Sequence, residues 1–151
     1  MFIANYVELI ERNETVLQES LLKVATRHQL EPDIRETCMK LAAWSGVHLS
    51  DLHPIRDRFA DTAKDEPERV EKGLFRGARK GGLGLLRDLH DLYILATEVK
   101  LTYEILKQAS EALRDKELLA FCDSSMKETV RQLNWIETRI RQAAPQVLVA
   151  A

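Results

Sequence analysis

The chain has 151 residues, 45% of them hydrophobic and only 6% aromatic, enough aliphatic side chains for a single domain with a real core. Its 22 Lys and Arg are balanced by 24 Asp and Glu, so no general basic surface invites nucleic acid. No apolar run approaches the ~20 residues of a membrane span. The N-terminal MFIANYVELIER lacks the pattern of a signal peptide, and two cysteines, at 38 and 122, make neither a disulfide framework nor a metal knuckle. These bounds predict a soluble, cytoplasmic, all-α domain that binds neither nucleic acid nor membrane.

The apolar spacing predicts four helices. The first runs from about Phe2 to His28 and carries Ile3, Val7, Ile10, Leu17, Leu21 and Val24 on one face. Pro32 suits the first turn of the second, with Asp33 and Glu36 near its positive end. Its stripe is Ile34, Cys38, Leu41, Ser45, His48, Leu52, Ile55 and Phe59, and Pro54 should kink it by removing the bond to the Ser50 carbonyl.

Residues 61–84 are charged and then glycine-rich. Helices of this length are roughly 40 Å long, so a connection of this size reads as a crossover from one end of a bundle to the other. Gly77, Gly81, Gly82 and Gly84, with Arg76, Arg79 and Lys80, read as a hinge more than as a phosphate cradle. The basic residues leave a weaker reading open, contact with an anionic partner.

The third helix, from about Leu85 to Leu113, has two apolar faces: Leu85, Leu89, Leu92, Ala96, Val99, Tyr103 and Leu106, and a second of Ile94, Leu101, Ile105 and Ala112 around Glu98. A helix apolar on two sides is covered on two sides, which predicts a homodimer. Asp88, His90 and Asp91 near its start read as a solvated first turn. The fourth helix, from Lys116 to about Ala144, carries Leu118, Cys122, Met126, Thr129, Leu133, Ile136 and Ile140, and Pro145 is expected to end it.

Polar residues interrupt these stripes at matched heights. Glu14 and Ser45 are equidistant from the turn near His28–Pro32, as Glu98 and Glu128 are from the turn near Leu113–Lys116. Bundles build metal sites at mid-length, from one Glu on each of two helices and a Glu-x-x-His pair on each of the others. Here the pieces read Glu14, then Ser45-Gly46-Val47-His48, then Glu98, then Glu128-Thr129-Val130-Arg131.

Their order and spacing, the long crossover and the stretch TEVKLTYEILKQAS resemble the ferritin-like superfamily, in particular rubrerythrin-type di-iron carboxylate proteins, over about residues 2–144. The resemblance implies an antiparallel four-helix bundle with its crossover between helices two and three. It also implies a metal set of Glu14, His48, Glu98 and Glu128. Two positions depart from the pattern: Ser45 stands where the family has a bridging Glu, and Arg131 where it has a His. A guanidinium cannot ligate metal; Arg131 is expected to put its charge beside Glu98 or Glu128 instead. The functional expectation is therefore a non-catalytic interaction or scaffold protein whose di-metal site has decayed, with no cofactor and no catalytic residue. The alternative is an oxidoreductase that keeps one iron or manganese. His48 also has a plain reading as a hydrogen-bonded core histidine with Ser45 as partner, and the cysteines as unbridged core residues.

Overall fold

The computed structural model describes residues 2–60, 74–75 and 79–150. Among them are four α-helices and no strand: α1 (Ile3–Arg27), α2 (Pro32–Phe59), α3 (Gly81–Leu113) and α4 (Lys116–Leu148). Residues 61–73 and 76–78, which include Arg76 and Gly77 and most of the expected crossover, lie outside the described residues. No helix among those described is long and apolar enough to cross a membrane.

Helix ends follow local chemistry. Pro32 opens α2, where its missing N–H costs nothing. Asp115 caps α4, its carboxylate accepting the Leu118 N–H at 3.1 Å. The tight turn before it places Arg114 in the left-handed region (φ 56°), and the Asp115 N–H donates back to the Ser110 carbonyl.

Two ends differ from expectation. α3 begins at Gly81 rather than Leu85, so the glycines form its first turn. At Gly84 a Cβ would stand 2.6 Å from the backbone carbon of Arg79; the chain doubles back too closely for any side chain. α4 runs through Pro145 to Leu148. A proline so near a C-terminus forfeits only one helix bond, and its own carbonyl accepts the Val149 and Ala150 N–H groups.

The core is aliphatic. All six apolar residues of the α1 stripe are buried, as are Ile34, Cys38, Leu41, Leu52 and Ile55 of α2. On α3 the face from Leu85 to Leu106 points inward, and Leu101 and Ile105 point outward. Cys38 and Cys122 are free and buried, and burial pushes each thiol up to about 12.

α1 packs on α2 and α3, and α4 packs on α3 and α2; the α2–α4 seam is the least closely packed. Polar bonds join these neighbours along their length: Glu11 to Arg56, His28 to Asp88, Asn13 to Thr102, Lys107 to Asp123, Arg58 to Asp115, and Arg139 to Asp33.

Candidate functional site

Four helices meet in one polar chain at mid-height. Glu14 of α1 is fully buried, and its Oε2 accepts the Tyr103 hydroxyl of α3 at 2.6 Å. The same oxygen lies 2.5 Å from Nδ1 of His48 on α2. Nε2 of His48 lies 2.9 Å from Oε1 of Glu128 on α4. Each side chain is there because its position falls on an inward stripe at three-four spacing.

The protonation state follows from the donor inventory. A carboxylate accepts, and a neutral imidazole donates from only one nitrogen. With both flanking carboxyl groups ionised, each ring nitrogen carries hydrogen, which makes His48 an imidazolium. Burial opposes that charge. The bond and charge of Glu14, and then those of Glu128, outweigh it and raise the His48 pKa above its ordinary value. Tyr103 is held well above its usual range by burial and by the Glu14 charge, so it stays a donor.

Neighbouring positions are occupied by neutral groups. The Gln132 amide donates to the Leu41 carbonyl at 2.9 Å and to the Ser45 hydroxyl at 3.1 Å. Ser45 therefore partners Gln132 across the α2–α4 seam. Asn13 donates to Thr102 at 3.3 Å and to Glu98 at 3.5 Å.

The expected metal set is thus brought together in part. Glu14, His48 and Glu128 are directly bonded, whereas Glu98 is half-buried and its described partner is Asn13. The reason is visible on α3: of the residues that flank Glu98, Leu101 and Ile105 are exposed and Ile94 is half-buried, so Glu98 sits at the edge of the core. The expectation for Arg131 is corrected outright. Arg131 is exposed, its guanidinium 4.7 Å from the centre of the Trp44 ring, and it pairs with neither Glu98 nor Glu128. The inward position on that turn of α4 belongs to Gln132.

The donor chemistry does not fit two metal ions: Ser45 and Gln132 are neutral, and Arg131 faces away. A single ion would have to displace one of the two His48 bonds. Among the described residues, no group of three or more His, Cys, Asp or Glu is placed to hold an ion. Two oxygens of this site are buried without a hydrogen-bond partner, Oε1 of Glu14 and Oε1 of Gln132, and of these the carboxylate oxygen is the one that invites a cation.

A second buried ionic cluster stands where the sequence suggests a solvated first turn. Asp88 is fully buried and takes His28 at 2.9 Å, Arg27 at 3.2 Å and Arg79 at 3.2 Å. Arg79 also bonds Asp91, which accepts the Phe75 N–H at 2.9 Å. These bonds pin Phe75 and Arg79 to α3 and to the end of α1. They also withdraw Arg79 from any anionic partner. The signal available was Gly84, whose missing side chain lets Arg79 lie back over α3.

Comparison of the chain with protein-family models, with curated proteins and with solved structures gives no match. The functional reading rests on the geometry.

Proposed function

We propose that this chain is a cytoplasmic, non-catalytic interaction or scaffold protein, built as a ferritin-like antiparallel bundle, in which a protonated histidine has taken the place of a di-metal centre. The observation that carries this reading is that both nitrogens of His48 are engaged by carboxylates, Glu14 and Glu128. An imidazolium between two carboxylates supplies the positive charge that a metal ion supplies in such a bundle.

The antiparallel arrangement is supported by the end-to-end bonds. From Glu11–Arg56 to Glu14–His48, from Asn13–Thr102 to His28–Asp88, and from Arg58–Asp115 to Arg139–Asp33, numbering falls on one helix as it rises on the other. That pattern favours antiparallel neighbours, with the chain travelling the bundle's length between α2 and α3.

Elemental analysis of protein purified without chelator tests the reading: well under one iron or manganese per chain is expected, and two would refute it. The rival, an oxidoreductase holding one iron or manganese through Glu14, His48 and Glu128, is favoured by the unpartnered Glu14 Oε1. It requires stoichiometric uptake that abolishes one His48–carboxylate bond.

A further inference from the structure

Two acceptors and one donor are left over in the core at mid-height. Oε1 of Glu14 and Oε1 of Gln132 are buried without a hydrogen-bond partner. The Ser45 hydroxyl accepts from the Gln132 amide, and its own hydrogen has no acceptor among the described residues. Glu14, Ser45 and Gln132 are each 0% exposed, so bulk solvent does not meet these groups. The three also converge on one turn of α2. Ser45 and His48 stand three residues apart on its inward face, a spacing that sets side chains about 5–6 Å from each other. Gln132 of α4 is bonded to the first of them and Glu14 of α1 to the second.

We propose that this turn is the binding site of a single internal water, which donates one hydrogen to Glu14 Oε1, the other to Gln132 Oε1, and accepts the Ser45 hydroxyl. The inventory selects the ligand. Water has two hydrogens for the two acceptors and a lone pair for the one donor. An ammonium ion has no lone pair for the Ser45 hydrogen, and a metal ion has neither lone pair nor hydrogen. Buried waters typically make about three hydrogen bonds to polar groups that are otherwise unmet, which is the number offered here. Two O–H···O bonds of about 2.5–3.0 Å join acceptors about 4–5 Å apart, comparable with the spacing along α2. The water links the Ser45–Gln132 pair to the Glu14–His48–Glu128 chain and makes one network of the two. It also gives Ser45 a role: alanine there would leave the water without its donor, and a longer carboxylate would fill its place with charge.

The proposal rests on the reading of this core as metal-free, and it fails separately from that reading. The test is a high-resolution crystal structure of the full chain purified without chelator, with neutron data from a crystal in heavy water to place the hydrogens. One peak is expected about 2.5–3.0 Å from Glu14 Oε1, Gln132 Oε1 and Ser45 Oγ. Its deuterons should point at Glu14 and Gln132, and the Ser45 deuteron at the peak. In solution, ¹⁷O magnetic relaxation dispersion should count one fewer long-lived water in Gln132→Leu than in the wild type, at unchanged helicity by circular dichroism. If that variant does not fold, the wild-type maps decide. Maps with no peak there, or an equal count in a folded Gln132→Leu, overturn the water and leave the His48 assignment standing. A metal ion at the same place, with contacts of about 2.0–2.6 Å and an anomalous signal, overturns both.

Discussion

His48 and Glu128 are joined across the α2–α4 seam by a 2.9 Å bond whose two ends live in different surroundings: the imidazole is 1% exposed and the carboxylate 34%. The Glu14 bond on the other side of the ring is wholly buried. One histidine thus connects a core carboxylate to one that water reaches, and the two bonds differ in strength.

Removing the histidine should be far more damaging than removing its outer partner. His48→Ala leaves Glu14 buried with Tyr103 alone, and a stranded buried charge costs about 3–5 kcal/mol. Glu128→Gln leaves a partly hydrated amide on the ring and should cost about 1 kcal/mol. Urea unfolding of the two variants side by side gives the comparison, and equal losses would contradict this picture.

The pH dependence has a definite sign. His48 has a folded pKa raised above its unfolded value of about 6.5. Its contribution is fully present below the unfolded value and declines as pH rises through the folded one. The amount lost is about 1.4 kcal/mol for each pH unit that separates the two values. Stability of the wild type should fall as pH rises above about 6.5, and His48→Gln should remove that fall. Urea midpoints measured from pH 5 to pH 9 give the comparison, and a wild-type curve parallel to that of the variant would contradict the sign.

Tyr103→Phe tests the third donor. It takes one of two donors from Glu14 Oε2, which keeps His48, with no change of shape, and a lost hydrogen bond to a charged group costs about 1.5–3 kcal/mol. Arg131→Ala, by contrast, removes an exposed cation–π contact with Trp44 and should cost about 0.5–1 kcal/mol. Both losses are read from urea unfolding. A large loss from Arg131→Ala would place the arginine back at the carboxylates.

The Asp88 cluster should be as important to stability as the mid-height chain. Asp88→Ala removes the buried carboxylate that His28, Arg27 and Arg79 share, leaving Arg79 on Asp91, and should cost about 3–5 kcal/mol. Gly84→Ala forces a Cβ against the Arg79 backbone and should cost about 1–3 kcal/mol, seen as a lowered melting temperature.

The helices and their inward faces are legible because apolar period and helix period agree over long stretches, as on α1. Glu14, Ser45 and His48 are legible for the same reason, as polar residues breaking an apolar stripe. Their partners are not. Whether Arg131 or Gln132 turns inward is a matter of one helix position, about 100° on the circumference, and the α4 stripe through Thr129 and Leu133, which flanks both, does not decide it. Tyr103 reads as a core aromatic because only its hydroxyl is polar. Asp88 reads as a surface residue because its three partners, Arg27, His28 and Arg79, come from the end of α1 and from the segment before α3, and only the fold brings them together. Glu98 reads as a core carboxylate because its apolar flank, which is the outer face of α3, has the same composition as an inner one.

The most direct measurement of the central claim is the ¹⁵N spectrum of the His48 ring at pH 7, in protein as purified and after exposure to excess ferrous or manganous ion. Both ring nitrogens are expected to carry hydrogen, each N–H coupled to a carboxylate, and added metal should leave the signals in place. A ring with one bare nitrogen that shifts or broadens as one ion per chain is taken up would contradict the claim.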